Sequence, residues 1–300
     1  LNLNDSESFK AWMNSLGARR CSEETLRQYR WGLEKYIEWA KTSPDDLLKE
    51  FDTSPKGAAE KRLASFLAQA DGLTERTRSH IARMVQSFYK ANFRPLSLVI
   101  TEPMPAREND YIPSREEIQK MVQSCDNLRD QALIMMLAET GMRIGTLVEL
   151  RWKHIKDEFR NPSPPYLIHV PVRPTRRKKG GYITFVVDDA MYYIRGILLS
   201  KQPADEDLIF NIGEAAAIDV IKRAGKKIGI AQGGLSEFRS HCFRKRLQTI
   251  YVQSGMSSDV VDVLIGHQPK GTAQADAYIR FPVEFLRQQY MKAMSFVRVF

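Results

Sequence analysis

Cysteine is scarce in this chain: Cys21, Cys125 and Cys242 are the only three in 300 residues. An odd number at wide spacing argues against a disulfide framework and against a cysteine-rich zinc site, and it fits a reducing compartment. Long apolar runs are also missing. No stretch approaches the roughly 20 residues that a bilayer-spanning helix needs, and no signal peptide is visible, so a cytoplasmic location without a membrane partner is expected. Internal repeats and low-complexity tracts are absent. Acid is in deficit, with 36 Asp and Glu against 45 Lys and Arg, for a net charge of +9. That balance favours a polyanionic partner, nucleic acid before an anionic surface. Hydrophobic residues at 43% and charged residues at 27% are ordinary for a globular protein with a sizeable core.

What is present falls into two parts. Residues 1–95 read as all helix. Ser22 is a good N-cap, followed by Glu23 and Glu24 in a first turn that favours acids. Leu26, Tyr29, Leu33, Tyr36, Ile37 and Ala40 then repeat at helical steps. Pro44 and Asp45-Asp46 open the next segment. Ala64, Phe66 and Leu67 sit in a third helix, and Thr74 begins a fourth that buries Ile81, Met84, Val85, Phe88 and Tyr89. Arg76, Arg78 and Arg83 decorate that fourth helix and are candidate DNA contacts. Residues 96–113 carry Pro95 at their edge, then Pro103, Pro105 and Pro113, a density that interrupts helix and sheet alike, so this is an expected linker.

A second domain is expected over residues 114–300. Ser114 and Glu117 have capping-box spacing. Leu133, Ile134, Met136 and Leu137 make an apolar helix that Gly141 terminates. Tyr166 to Val172 and Tyr182 to Val187 are rich in β-branched and aromatic residues, which predicts two or three short strands around a basic turn. Asp188 or Asp189 caps a return to helix. The fold class is therefore mainly α with a small β-sheet.

Six residues in this second part suit one chemistry. Arg143 lies in Glu139-Thr140-Gly141-Met142-Arg143-Ile144-Gly145. Lys178 or Lys179 lies in Thr175-Arg176-Arg177-Lys178-Lys179-Gly180-Gly181. His241 and Arg244 share His241-Cys242-Phe243-Arg244, His267 ends Leu264-Ile265-Gly266-His267, and Tyr278 lies in Ala277-Tyr278-Ile279-Arg280. Cleaving a phosphodiester concentrates charge on its non-bridging oxygens, which fixed cationic donors must neutralise. Guanidinium is always charged and makes paired hydrogen bonds to phosphate. Histidines add donors or move protons near neutral pH. A phenol can replace water as nucleophile and so conserve the bond energy. Positions three apart on a helix share a face, so His241 and Arg244 can reach one phosphate. Cys242 between them reads as a small buried side chain.

In order and setting, these residues resemble the tyrosine recombinase (phage integrase) family. The resemblance implies that Arg143, Lys178, His241, Arg244, His267 and Tyr278 surround one DNA phosphate and that Tyr278 attacks it. Lys178 aligns best with the family's lysine, and Lys179 is next; Arg176, Arg177 and Lys179 would then contact phosphate or face solvent. The first 95 residues resemble the family's helical core-binding domain. The resemblance further implies a 3′-phosphotyrosine intermediate, a Holliday junction, and a tetramer on two sites of double-stranded DNA at the nucleoid. It implies no cofactor and no metal, and it allows accessory DNA-bending proteins. An integrase of an archaeal or bacterial mobile element is the nearest style. The chain opens on Leu1, so an amino-terminal arm-binding domain ahead of it is left open.

Two features depart from the family pattern. Thr146 stands where many members carry a glutamate, so Arg143 must find support elsewhere, with Glu149 a candidate. The interval from His267 to Tyr278 is slightly long. Tyr290 is a fallback nucleophile. Phe285, Leu286, Tyr290, Met291 and Met294 suggest an apolar helix face for a neighbouring subunit or for the chain's own domain. A type IB topoisomerase-like enzyme is the alternative activity, and a non-catalytic DNA-binding regulator is a further one, which the intact residue set argues against.

Overall fold

The computed structural model describes residues 3–97, 111–161, 163–171, 181–198, 203–230, 238–267 and 281–300. It divides the chain into two compact units, Leu1–Arg107 and Glu108–Phe300. Most of the expected linker lies outside the described residues.

The first unit is built from α1 (Glu7–Ala18), α2 (Glu23–Ala40), α3 (Pro44–Thr53), α4 (Ala58–Gln69) and α5 (Glu75–Ala91). Ser22, Ser43 and Thr74 cap α2, α3 and α5 by accepting the backbone N–H three residues on, as their small oxygen-bearing side chains allow. Helix α1 is additional to the four that the sequence singles out. Its Phe9, Trp12 and Leu16 form one buried stripe. Trp12 packs edge-on against Phe88, and its indole N–H donates to Ser87 Oγ at 3.2 Å. The basic residues of α2 are largely ion-paired within the helix, as Arg27–Glu24, Arg30–Glu34 and Lys35–Glu38. Helix α5 differs. Arg76, Arg83 and Lys90 are exposed at seven-residue steps along one side of it, and no acid among the described residues pairs with them. Arg78 is half-buried and donates to the Leu67 carbonyl of α4 at 2.9 Å, so part of its guanidinium closes a helix end.

The second unit holds α6 (Arg115–Gln123), α7 (Leu128–Thr140), the short α8 (Ile144–Leu147), β1 (Tyr166–Val170), β2 (Tyr182–Val186), α9 (Asp188–Leu198), α10 (Glu214–Lys227), α11 (Ser240–Gln253), α12 (Ser258–Leu264) and α13 (Val283–Val297). The capping box at Ser114 and Glu117 forms. Helix α7 is buried on every side from Ala132 to Thr140, which marks it as the central helix. The two strands pair antiparallel from Tyr166 opposite Val186 to Val170 opposite Tyr182. Side chains alternate across such a hairpin. Ile168, Val170 and Val186 join the core around α7, while Leu167, Phe185 and Val187 join a second core with α11, α12 and α13.

Asp188 and Asp189 do not cap α9. They lie in its first turn and hold the chain end instead: Asp188 accepts from the Tyr166 phenol and pairs with Arg298, and Asp189 Oδ2 accepts the N–H groups of Val299 and Phe300. The α9 amides go to a residue from another helix. Glu139, wholly buried on α7, accepts from Val187 N at 2.8 Å and Ala190 N at 3.0 Å, one on each oxygen.

Candidate active site

Helix α7 ends at Gly141, whose φ of +58° is the left-handed conformation that glycine adopts without a steric penalty. Space is tight here as well. A Cβ would fall 3.3 Å from the Arg244 backbone and 3.2 Å from Leu247. The turn is thus laid directly on α11, and the Gly141 carbonyl accepts from Arg244 Nη1 at 2.9 Å. Arg143 follows two residues later, extended and half-buried, where its carbonyl starts α8.

Arg244 is only 1% exposed. Its Nε and Nη2 meet no acceptor among the described residues. Burial, and then the like charge of Arg143, pull its pKa down to about 10, while the Tyr182 phenol and Asp262 oppose them. Two guanidinium groups therefore stand close together, one of them buried with donors to spare. Unmet buried donors cost about 1–3 kcal/mol each and more when charged, so the arrangement favours a bound anion between them.

His267 follows Gly266, which closes α12 with a φ of +69°. Its N–H donates to the Asp262 carbonyl at 2.7 Å, and its Nδ1 lies 3.1 Å from Asp262 Oδ1. With the carboxylate oxygen as acceptor, Nδ1 carries the proton and Nε2 is left to face the site. Burial first and Arg244 second hold this histidine below its ordinary pKa, against the pull of Asp262. That shift favours the neutral imidazole.

His241 is exposed in the first turn of α11, one helical turn before Arg244. Cys242 between them is buried, and burial raises its thiol to about 11, as suits an inert packing residue. Arg143, Arg244 and His267 are thus brought together, with His241 at their edge. Lys178, Lys179, Arg176, Arg177 and Tyr278 lie outside the described residues. Thr146 is buried, and Glu149 is half-buried just after α8.

Tyr290 does not suit the fallback role. Its phenol is fully buried, donates to the Glu139 carbonyl at 3.3 Å, and is pushed well above the usual range by that burial. Its apolar helical setting in the sequence reflects a core position. The face named around it is divided: Leu286 and Tyr290 pack inside the unit, whereas Phe285 and Met291 are exposed.

Three residues of the site were not assigned from sequence. Asp262 lies five before His267, a spacing that becomes a contact only because Gly266 turns the chain back. Tyr182 looks like an ordinary strand aromatic. Glu139 is part of the Glu139-Thr140-Gly141 string, but its partners are backbone amides about fifty positions away, which leave no mark in a sequence.

The model of the phage integrase family matches residues 114–280. Among curated proteins, the chain is 24% identical over 298 residues to tyrosine recombinase XerA of Saccharolobus solfataricus, covering 96% of this chain and 92% of that protein. It is 25% identical over 296 residues to tyrosine recombinase XerD of Yersinia pestis, covering 91% and 92%. Among solved structures, a lambda integrase (75–356) dimer bound to a COC′ core site matches with a TM-score of 0.62 at 14% identity, over 92% of this chain and 98% of that one. XerH recombinase bound to its difH substrate matches with a TM-score of 0.60 at 17% identity, over 88% and 78%.

Proposed function

The chain belongs to the phage integrase family, and from that premise we propose that it is a site-specific DNA recombinase whose nucleophile is Tyr278. The observation that carries this reading is Arg244: a buried guanidinium with two unmatched donors, set beside a second arginine. Such a pair holds a scissile phosphate and stabilises the charge that builds on it.

The Tyr278 oxygen attacks phosphorus, and the bond from phosphorus to the 5′ oxygen breaks. The departing 5′ oxygen takes a proton from Lys178, or from Lys179 if the turn is registered one residue along. The product is a 3′-phosphotyrosine and a free 5′ hydroxyl. Attack by a 5′ hydroxyl from a partner duplex reverses the step and joins the strands, so bond energy is conserved throughout. Arg143 and Arg244 hold the non-bridging oxygens. His267, oriented by Asp262, offers Nε2 as an acceptor for the Tyr278 proton, and His241 adds a second imidazole at the rim.

Residues 1–95 are the proposed helical DNA-binding domain, 96–113 the linker and 114–300 the catalytic domain. Arg76 and Arg83 on α5 are phosphate contacts, with Arg78 divided between DNA and the α4 end. Arg176, Arg177 and Lys179 extend the contact. The partners are double-stranded DNA and three further copies of the chain, with accessory DNA-bending proteins in some reactions, acting at the nucleoid. A lambda integrase tetramer bound to a Holliday junction has the same fold at a TM-score of 0.60.

Covalent capture tests the reading. A random-sequence library of nicked duplexes is incubated with the chain, and DNA that stays attached through denaturing electrophoresis is amplified. Enrichment of one sequence, with the adduct mapped to Tyr278, is the expected result. No adduct with any duplex would overturn it.

A further inference from the structure

Phe93 breaks two rules at once. It follows Asn92, the C-cap of α5, and its φ of +61° is the left-handed conformation that a helix end usually gives to glycine. Its ring is 93% exposed, more than any other large hydrophobic side chain among the described residues, with Tyr192 next at 70%. Neither feature helps the free protein to fold, because phenylalanine is strained in that backbone region and an apolar ring gains nothing from water. The neighbours nevertheless hold it in place. Asn92 is buried, and its Nδ2 donates to the Ser8 carbonyl at 3.2 Å and to the Phe88 carbonyl at 3.0 Å. Arg94 donates through Nε and Nη2 to the two Asp52 oxygens at 2.8 and 2.7 Å, and through Nη1 to the Asn92 carbonyl at 2.8 Å. The Phe93 N–H donates to the Lys90 carbonyl at 3.2 Å, and the Arg94 N–H to that of Tyr89 at 3.0 Å. The ring is therefore a fixed projection between two anchored residues.

Lys90 is the last member of the exposed row of Arg76, Arg83 and Lys90, so Phe93 stands where that basic row ends. We propose that Phe93 is an apolar DNA contact, a phenyl ring set into a groove against base edges beside the phosphates that the α5 row holds. The inference rests on the DNA-binding part of the recombinase reading and not on Tyr278. Charge argues for DNA as the occupant. A protein face laid over the ring would have to neutralise the row as well, whereas a duplex carries phosphates for the cations and apolar edges, such as the thymine methyl, for the ring. Rigidity argues in the same direction. A side chain already held in one place loses little freedom on contact, which gives the strained backbone a use that the free protein lacks.

The test uses the full wild-type chain to select duplexes from a random-sequence pool by gel shift, which needs affinity and no covalent step. If no duplex is bound, this proposal and the recombinase reading fall together. If a duplex is bound but never captured covalently, the recombinase reading falls alone and Phe93 is still read from affinity. The selected duplex is the probe. Phe93→Asn keeps the left-handed turn, which asparagine tolerates, and removes the ring. It is expected to raise the melting temperature of the free protein and to weaken binding about tenfold, the size of one aromatic contact to a base. The slope of log affinity against log salt should stay as in wild type, because no phosphate contact is lost. Phe93→Tyr retains the ring and should retain the affinity. Wild-type affinity in Phe93→Asn would overturn the proposal. A flattened salt slope would overturn it by placing the effect on the phosphate row. A lowered melting temperature would overturn it by giving the ring a packing role in the free protein. A loss seen only when a second copy joins the same duplex would assign the ring to contacts between copies, and would overturn it as well.

Discussion

Single side chains set the sharpest expectations. Tyr278→Phe should abolish covalent attachment and leave DNA affinity nearly intact, because it removes a nucleophilic oxygen without changing charge; gel shift and denaturing gel read the two quantities separately. Arg244→Ala should slow cleavage by about a hundredfold or more, the loss of roughly 3 kcal/mol seen when a transition-state donor is removed. Arg143→Ala should act in the same sense. Equal losses in binding and rate would mark either as an ordinary phosphate anchor. His267 adds a pH dependence of stability. Its folded pKa lies below the ordinary 6.5, so on acidification the unfolded chain takes up the proton first. The stabilisation it gives is complete above about pH 6.5 and is lost as pH falls through the folded value. The advantage of wild type over His267→Gln in urea unfolding should therefore shrink between pH 7 and pH 5. An advantage that grew on acidification would contradict the placement of this ring beside two arginines.

At the scale of elements, what the sequence reveals depends on how local the cause is. Caps at Ser22, Thr74 and Ser114 and the glycine stop at Gly141 are legible because each acts within four residues of itself. The two strands are legible from β-branched runs. The position of Arg143, Arg244 and His267 is legible only as a motif; the convergence of α7, α11 and α12 that joins them depends on side-chain packing over a hundred residues. The α9 start shows the limit most clearly. Asp188 and Asp189 have the composition of a cap, yet Glu139 takes the amides. Glu139→Gln replaces one acceptor oxygen by an amide that cannot accept, so one backbone N–H is left unmet. It should destabilise the chain by about 1–3 kcal/mol, measured by urea unfolding, and the loss should exceed that of Asp188→Asn, whose side chain is on the surface side of the same turn.

For the whole molecule, charge distribution is the measurable quantity. DNA binding should weaken steeply with salt, since each phosphate neutralised releases counterions. Exchanging Arg76, Arg83 and Lys90 together for glutamine should flatten the plot of log affinity against log salt by about 0.9 for each phosphate that is no longer neutralised. Deleting residues 1–95 should flatten it further. An unchanged slope in both would assign the α5 surface to protein contacts. One joint inside the second unit offers a way to watch the molecule without any substrate. The amides of Val187 and Ala190 are held by a carboxyl group sealed within α7, the helix whose last turn leads to Arg143. Neither amide can meet water until that helix and the hairpin part company. Their deuterium uptake would therefore time the opening of the joint behind the arginine, and a variant that loosened the site from behind would be recognised by these two signals before any DNA was added.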